Sequence, residues 1–168
     1  MSNIIEKLDS YQIMTNLLPG AFLGIMLRYL LELVLPTQNI GEEILVYYFM
    51  GLVINRIGSL IVVPILKKIK FIREAPYSDY LKAVKIDSKL DILSDANNYF
   101  RSVLTCFLLL PIVKLMRILI VNVNWIEKCW KCCAIVFLIV LFLFAYRKQT
   151  DFVKKRVEAI NTQKTETS

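Results

Sequence analysis

The stretch Tyr48-Phe49-Met50-Gly51-Leu52-Val53-Ile54-Asn55-Arg56-Ile57-Gly58-Ser59-Leu60 decides the architecture. It lies inside an apolar run over residues 44–66, preceded by a similar run over residues 17–35. About 20 apolar residues, each rising about 1.5 Å along a helix, cross a hydrocarbon core of about 30 Å, so both runs are long enough to span a bilayer. A short acidic turn joins them, and together they read as a membrane hairpin. Within the quoted stretch an amide and a guanidinium, Asn55 and Arg56, stand side by side near mid-span. A charge at that depth costs from about 3 to over 10 kcal/mol, so it persists only where protein, water or a counter-ion receives it.

In the first run Gly20, Gly24, Arg28 and Glu32 recur every four residues, which on a helix forms one slowly turning stripe. Its lower half suits close packing and its upper half is ionic. In an antiparallel pair, Arg28 and Arg56 fall at the same depth, with Glu32 as the expected partner of one or both. Gly51, Asn55 and Ser59 form a small or polar stripe on the second helix that is expected to meet the first. Pro64 is expected to kink that helix near its inner end. A third run, 102–121, is interrupted by Pro111, Lys114 and Arg117. Lys114 lies near the depth of the two arginines, and Arg117 is close enough to the outer end to snorkel. The expected intramembrane charged cluster is Arg28, Glu32, Asn55, Arg56, Lys114 and Arg117; the expected helix-packing residues are Gly20, Gly24, Gly51 and Ser59. Matched cations with a single acid exceed what packing requires and point to a functional role, against a purely structural pairing with Glu32 and backbone carbonyls.

A fourth run, 132–146, follows Trp125 and Trp130, which suit a membrane interface. The expected fold is all-α: a polytopic membrane protein forming a single domain, 1–168, with transmembrane helices at 17–35, 44–66, 102–121 and 132–146. A cytoplasmic amphipathic helical segment is expected at 67–101 and a disordered tail at 162–168. In that segment Tyr77, Leu81 and Val84 repeat at helical spacing and residues 88–91 fit a capping box, giving one broken helix or two short ones. The net charge of +7 is unevenly placed. Fifteen basic residues fall on one side of these spans, with only Lys128 and Lys131 opposite, which puts both termini and the central segment in the cytoplasm. Residues 1–16 lack the basic start and cleavage site of a secretory signal, so the first run is expected to be retained. Lys67, Lys68, Lys70 and Arg73 read as contacts to lipid headgroups, worth about 1 kcal/mol each near an anionic surface, rather than to nucleic acid.

The sequence contains no histidine, which removes His-based acid–base catalysis, the common Ser–His and Cys–His pairs and most catalytic zinc arrangements. No Gly-rich phosphate loop follows a strand pattern, and no two carboxylates share a span. No catalytic residue, metal or cofactor is expected. Cys129, Cys132 and Cys133 sit near the outer end of the fourth helix and Cys106 near the inner end of the third, too far apart in depth for one metal. They read as small apolar helix residues, with an intermolecular disulfide as the remaining possibility for the cluster.

The strings Asn16-Leu17-Leu18-Pro19-Gly20, Tyr48 through Leu60, Tyr77-Ser78-Asp79-Tyr80 and Asn97-Asn98-Tyr99-Phe100-Arg101 together resemble a family of small multi-pass bacterial membrane proteins from phage-defence islands. The chain is also similar to the transmembrane accessories encoded beside RNA-targeting CRISPR effectors. Some such accessories carry an arginine–histidine ribonuclease-like motif; without histidine, nothing catalytic carries over. The resemblance implies antiviral defence at the bacterial inner membrane. The expected function is a non-enzymatic effector or accessory that oligomerises and perturbs membrane integrity or ion permeability under control of a cytoplasmic protein partner. The alternatives are an anchor for a soluble partner, or a small anion channel unrelated to defence. Expected partners are membrane lipids, further copies of the chain and that cytoplasmic protein.

Overall fold

A computed structural model describes residues 13–33, 37–87, 89–122 and 124–166, the side chains of residues 14, 124–128 and 159–166 excepted. Among the described residues every regular element is helical. A π-helical turn, Ile13–Leu17, leads into α1, Leu18–Leu31; α2, Ile40–Ile57, passes through a second π-helical turn, Gly58–Val62, into α3, Val63–Lys68. Then come α4, Tyr77–Ile86; α5, Lys89–Asn122; and α6, Asn124–Glu166. Among the described residues three stretches are long and apolar enough to cross a membrane: Ile40–Lys68, Lys89–Asn122 and Cys129–Glu158. A shorter apolar helix covers Thr15–Leu31.

Local chemistry sets the ends of these helices. Asn39 caps α2 by accepting from the Glu42 amide at 2.9 Å, while the Glu42 carboxylate accepts from the Asn39 side chain and the Gln38 amide. This reciprocal arrangement satisfies donors that a helix start leaves open. The three-part helix from Ile40 stops at a Schellman turn: Lys70 takes a left-handed conformation, φ 59°, with Phe71 N–H returning to Leu66 and Lys70 N–H to Lys67. Glu32 ends α1 in the same region of backbone space, φ 54°.

The hairpin of α1 and α2 is built backbone to backbone. A Cβ on Gly20 would lie 1.8 Å from the Tyr47 carbonyl oxygen, and one on Gly51 would lie 1.7 Å from that of Asn16. Gly24 faces the Tyr47 ring. The residue numbers of Gly20 with Gly51, Gly24 with Tyr47, and Asn16 with Asn55 have the same sum, as an antiparallel pair in strict register requires. Against this hairpin α5 brings Cys106, with Leu109, Leu110 and Val113, to a core of Leu23, Leu27, Leu31 and Ile54. Phe22 meets Phe107 edge to face at 5.5 Å. The last helix, α6, joins through Leu141 and Ala145 and a Phe49–Phe142 stack.

Several boundaries differ from the sequence expectation. The first helix starts at Ile13 and its α-helical part ends at Leu31 rather than reaching Leu35. The segment expected to be cytoplasmic, 67–101, is split: α4 stands alone, while its second half is the first part of α5 and runs without a break into the apolar run 102–121. Pro111 lies within that helix and does not end it. The fourth apolar run is the middle of a 43-residue helix, and residues 162–166, expected to be disordered, belong to it. A helix once nucleated propagates cheaply, which favours continuation through polar flanks. The upper end of the first run, Ser88 of the capping box, the Trp125 side chain, Lys7 and the last two residues of the tail lie outside the described residues.

Candidate functional site

The two π-helical turns supply the residues around which polar side chains gather. Asn16 lies in the first, Ser59 in the second, and Asn55 one turn before Ser59. Such turns are frequent at functional positions, where the wider ring displaces one residue from the regular ladder. Asn55 ties three helices together. Its side-chain N–H donates to Asn16 Oδ1 at 3.2 Å, and its own Oδ1 accepts from Nη2 of Arg101, on α5, at 2.6 Å. Gly58 makes room for this approach, since a Cβ there would stand 2.7 Å from Thr105 Oγ1. Thr105 donates back to the Arg101 carbonyl at 2.8 Å.

A second contact follows from the backbone. Val63 N–H reaches back five residues to the Gly58 carbonyl, so the next donor in the π pattern would be residue 64, toward Ser59. Residue 64 is proline and has no N–H. The Ser59 carbonyl is taken instead by Lys148 of α6, whose Nζ donates to it at 2.7 Å and to Ser59 Oγ at 2.7 Å. In apolar surroundings a freed backbone acceptor needs such a substitute. The Lys148 ammonium also lies 5.9 Å from the centroid of Phe152, whose ring meets Tyr77 of α4 edge to face at 5.6 Å. Arg101, Lys67 and Arg56 are close enough for their charges to act on Lys148, opposed by Glu74. Glu74 is itself engaged by Lys67 at 2.7 Å. The result is a cationic locus at the end of the bundle that carries Lys67 and Lys68.

The charged residues expected to form one cluster divide between two ends. Asn55 and the partly buried Arg56 belong to the locus just described. Arg28, Glu32, Lys114 and Arg117 lie toward the hairpin end. Because α1 stops at Leu31, Arg28 falls in its last turn and is exposed, where a cation complements the helix dipole, rather than pointing inward at mid-span. Glu32 is exposed, and among the described residues it forms no ion pair with Arg28 or Arg56. Arg117 Nη1 instead donates to the Leu31 carbonyl, one of the acceptors a helix terminus leaves open. Glu32, Lys114, Arg117 and Asn122 line a groove of about 480 Å³ together with apolar side chains that include Leu30 and Ile118.

Gly20, Gly24 and Gly51 lie in the α1–α2 contact, and Ser59 holds Lys148. Lys68, Lys70 and Arg73 are exposed, whereas Lys67 pairs with Glu74. Cys106 is buried and its thiol donates to the Pro19 carbonyl at 3.4 Å; Cys132 and Cys133 are exposed. Among the described residues no three histidine, cysteine or carboxylate side chains come together as a metal site requires. Sequence reasoning missed Arg101 and Lys148, treating both as flanking charges of the topology count. Their signal was position: Arg101 immediately precedes an apolar run, and Lys148 follows Tyr146 by two residues.

These features define an all-α chain whose three longest apolar helices are compatible with a membrane, organised around a polar, cationic contact between helices. The chain matches no protein-family model, no curated protein and no solved structure.

Proposed function

We propose that the chain is a four-span inner-membrane protein with cytoplasmic termini, acting without catalysis as an oligomeric effector or accessory in antiviral defence. In this reading a cytoplasmic partner acts on α4, and the membrane becomes permeable in response. The observation that carries it is an unbroken series of contacts from α4 into the apolar bundle: Tyr77 on Phe152, Lys148 over Phe152, and Lys148 on Ser59. A force on α4 is thereby felt at the polar locus of α2.

Two further observations support the reading. The most apolar windows of the three long helices are only 22%, 11% and 11% buried within the chain, leaving most of their surface for lipid or for other copies. The shorter helix Thr15–Leu31 is about 26 Å long at 1.5 Å per residue and lies against α2 along its glycines, so it shares the depth of its partner. The defence role rests on the resemblance of the short sequence strings.

Induced expression with a membrane-potential dye tests the reading. Depolarisation is expected with the wild-type chain when the defence system is triggered, and it should be lost in Tyr77→Ala at equal membrane abundance. A chain that recruits its soluble partner to the membrane without any depolarisation is an anchor, and the effector reading then fails.

A further inference from the structure

The groove at the hairpin end carries two kinds of charge on separate elements. Lys114 and Arg117 come from α5, and Glu32 follows α1. Arg117 is partly committed to the Leu31 carbonyl, whereas among the described residues Lys114 and Glu32 enter no ion pair. Asn122 donates its side-chain N–H to the Ile118 carbonyl at 2.8 Å, which leaves its amide oxygen as an acceptor. Glu32 is the left-handed residue, φ 54°, that ends α1 beside the groove. Leu30 and Ile118 supply apolar wall beside these groups.

We infer that this groove binds the headgroup of a zwitterionic aminophospholipid: the phosphate against Lys114 and Arg117, the primary ammonium against Glu32 and Asn122, and the start of the acyl chains along Leu30 and Ile118. Each alternative leaves part of the groove unmatched. Inorganic phosphate would meet the cations but also the Glu32 carboxylate, and a glycerol-headed anionic lipid offers that carboxylate no cation. A choline head has no N–H to donate, and among the described residues that line the groove there is no aromatic side chain. A primary ammonium with three donors suits a carboxylate and an amide oxygen.

The inference rests on the membrane reading, whose own failure would appear separately as release of the chain from membranes by alkaline carbonate. The test is native mass spectrometry of the full-length, delipidated chain in detergent, titrated with short-chain phosphatidylethanolamine, phosphatidylcholine and phosphatidylglycerol, with orthophosphate as competitor. Phosphatidylethanolamine should bind several-fold more tightly than the other two. Glu32→Gln should abolish that preference while retaining phosphatidylglycerol binding, and Lys114→Gln should weaken all three lipids together. Both substitutions are at exposed positions, so the folded chain remains measurable. Equal binding of the three lipids, a preference unmoved by Glu32→Gln, or displacement by orthophosphate at concentrations where chloride has no effect would overturn the inference.

Discussion

Lys148 and Pro64 illustrate how one residue creates a need that another meets. Removing the ammonium leaves the Ser59 carbonyl with one acceptor bond fewer in a partly buried place, at a cost of about 1–3 kcal/mol. Lys148→Met should therefore lower the thermal midpoint of the purified chain. In a Pro64→Ala background, where residue 64 regains an N–H for the helix ladder, the same substitution should cost measurably less. Additive effects in that double-mutant cycle would show that the proline does not set the demand for Lys148. Gly51 makes a sharper case. Its missing Cβ would sit 1.7 Å from the Asn16 carbonyl oxygen, and backbone cannot rotate aside. Gly51→Ala should cost about 1–3 kcal/mol or more, as overpacking does, whereas Gly41→Ala, whose Cβ would meet a side-chain oxygen at 3.2 Å and no backbone, should shift the melting curve much less.

At the scale of elements, α4 is held to the bundle by side-chain contacts. Apart from Tyr77 on Phe152, it is tied to the start of α5 by the Tyr80 hydroxyl donating to Asp91 at 3.1 Å. Tyr80→Phe removes that bond, worth about 1 kcal/mol, and should speed hydrogen exchange across Tyr77–Ile86 while leaving Ile40–Ile57 protected. Equal protection of α4 in both proteins would mean that the Tyr80–Asp91 bond does not limit its opening. The helical class and the apolar runs were legible because hydropathy and small-residue spacing are local properties. The glycine positions of the hairpin could be read for the same reason. The site was less legible: pairing Glu32 with Arg28 assumed a longer first helix, and the left-handed turn at Glu32 ends that assumption. The roles of Arg101 and Lys148 depend on α5 and α6 reaching α2, a long-range fact that spacing does not encode.

For the whole molecule, the arrangement of charge and length makes topology the first thing to measure. Reporter fusions after Gln38 should read as periplasmic and those after Asp79 as cytoplasmic. A cytoplasmic signal after Gln38 would remove α1 from the membrane and with it the four-span count. Extraction and native mass measurement should return a multiple of the 19.5 kDa chain, since so few helices, so little buried, cannot enclose a pathway singly. A strictly monomeric mass under triggering conditions would count against a pore. The glycine contact of α1 with α2 also decides where such an assembly can yield. With main chain pressed on main chain at Gly20 and Gly51, that pair has no side-chain rotamers at those two points to absorb a slide, and it is expected to be the stiffer contact. The seam with α6 is closed by side chains instead: Leu141, the small Ala145, one phenyl stack and a lysine on a borrowed carbonyl. The motion to expect on opening is a swing of the last helix relative to the hairpin of α1 and α2.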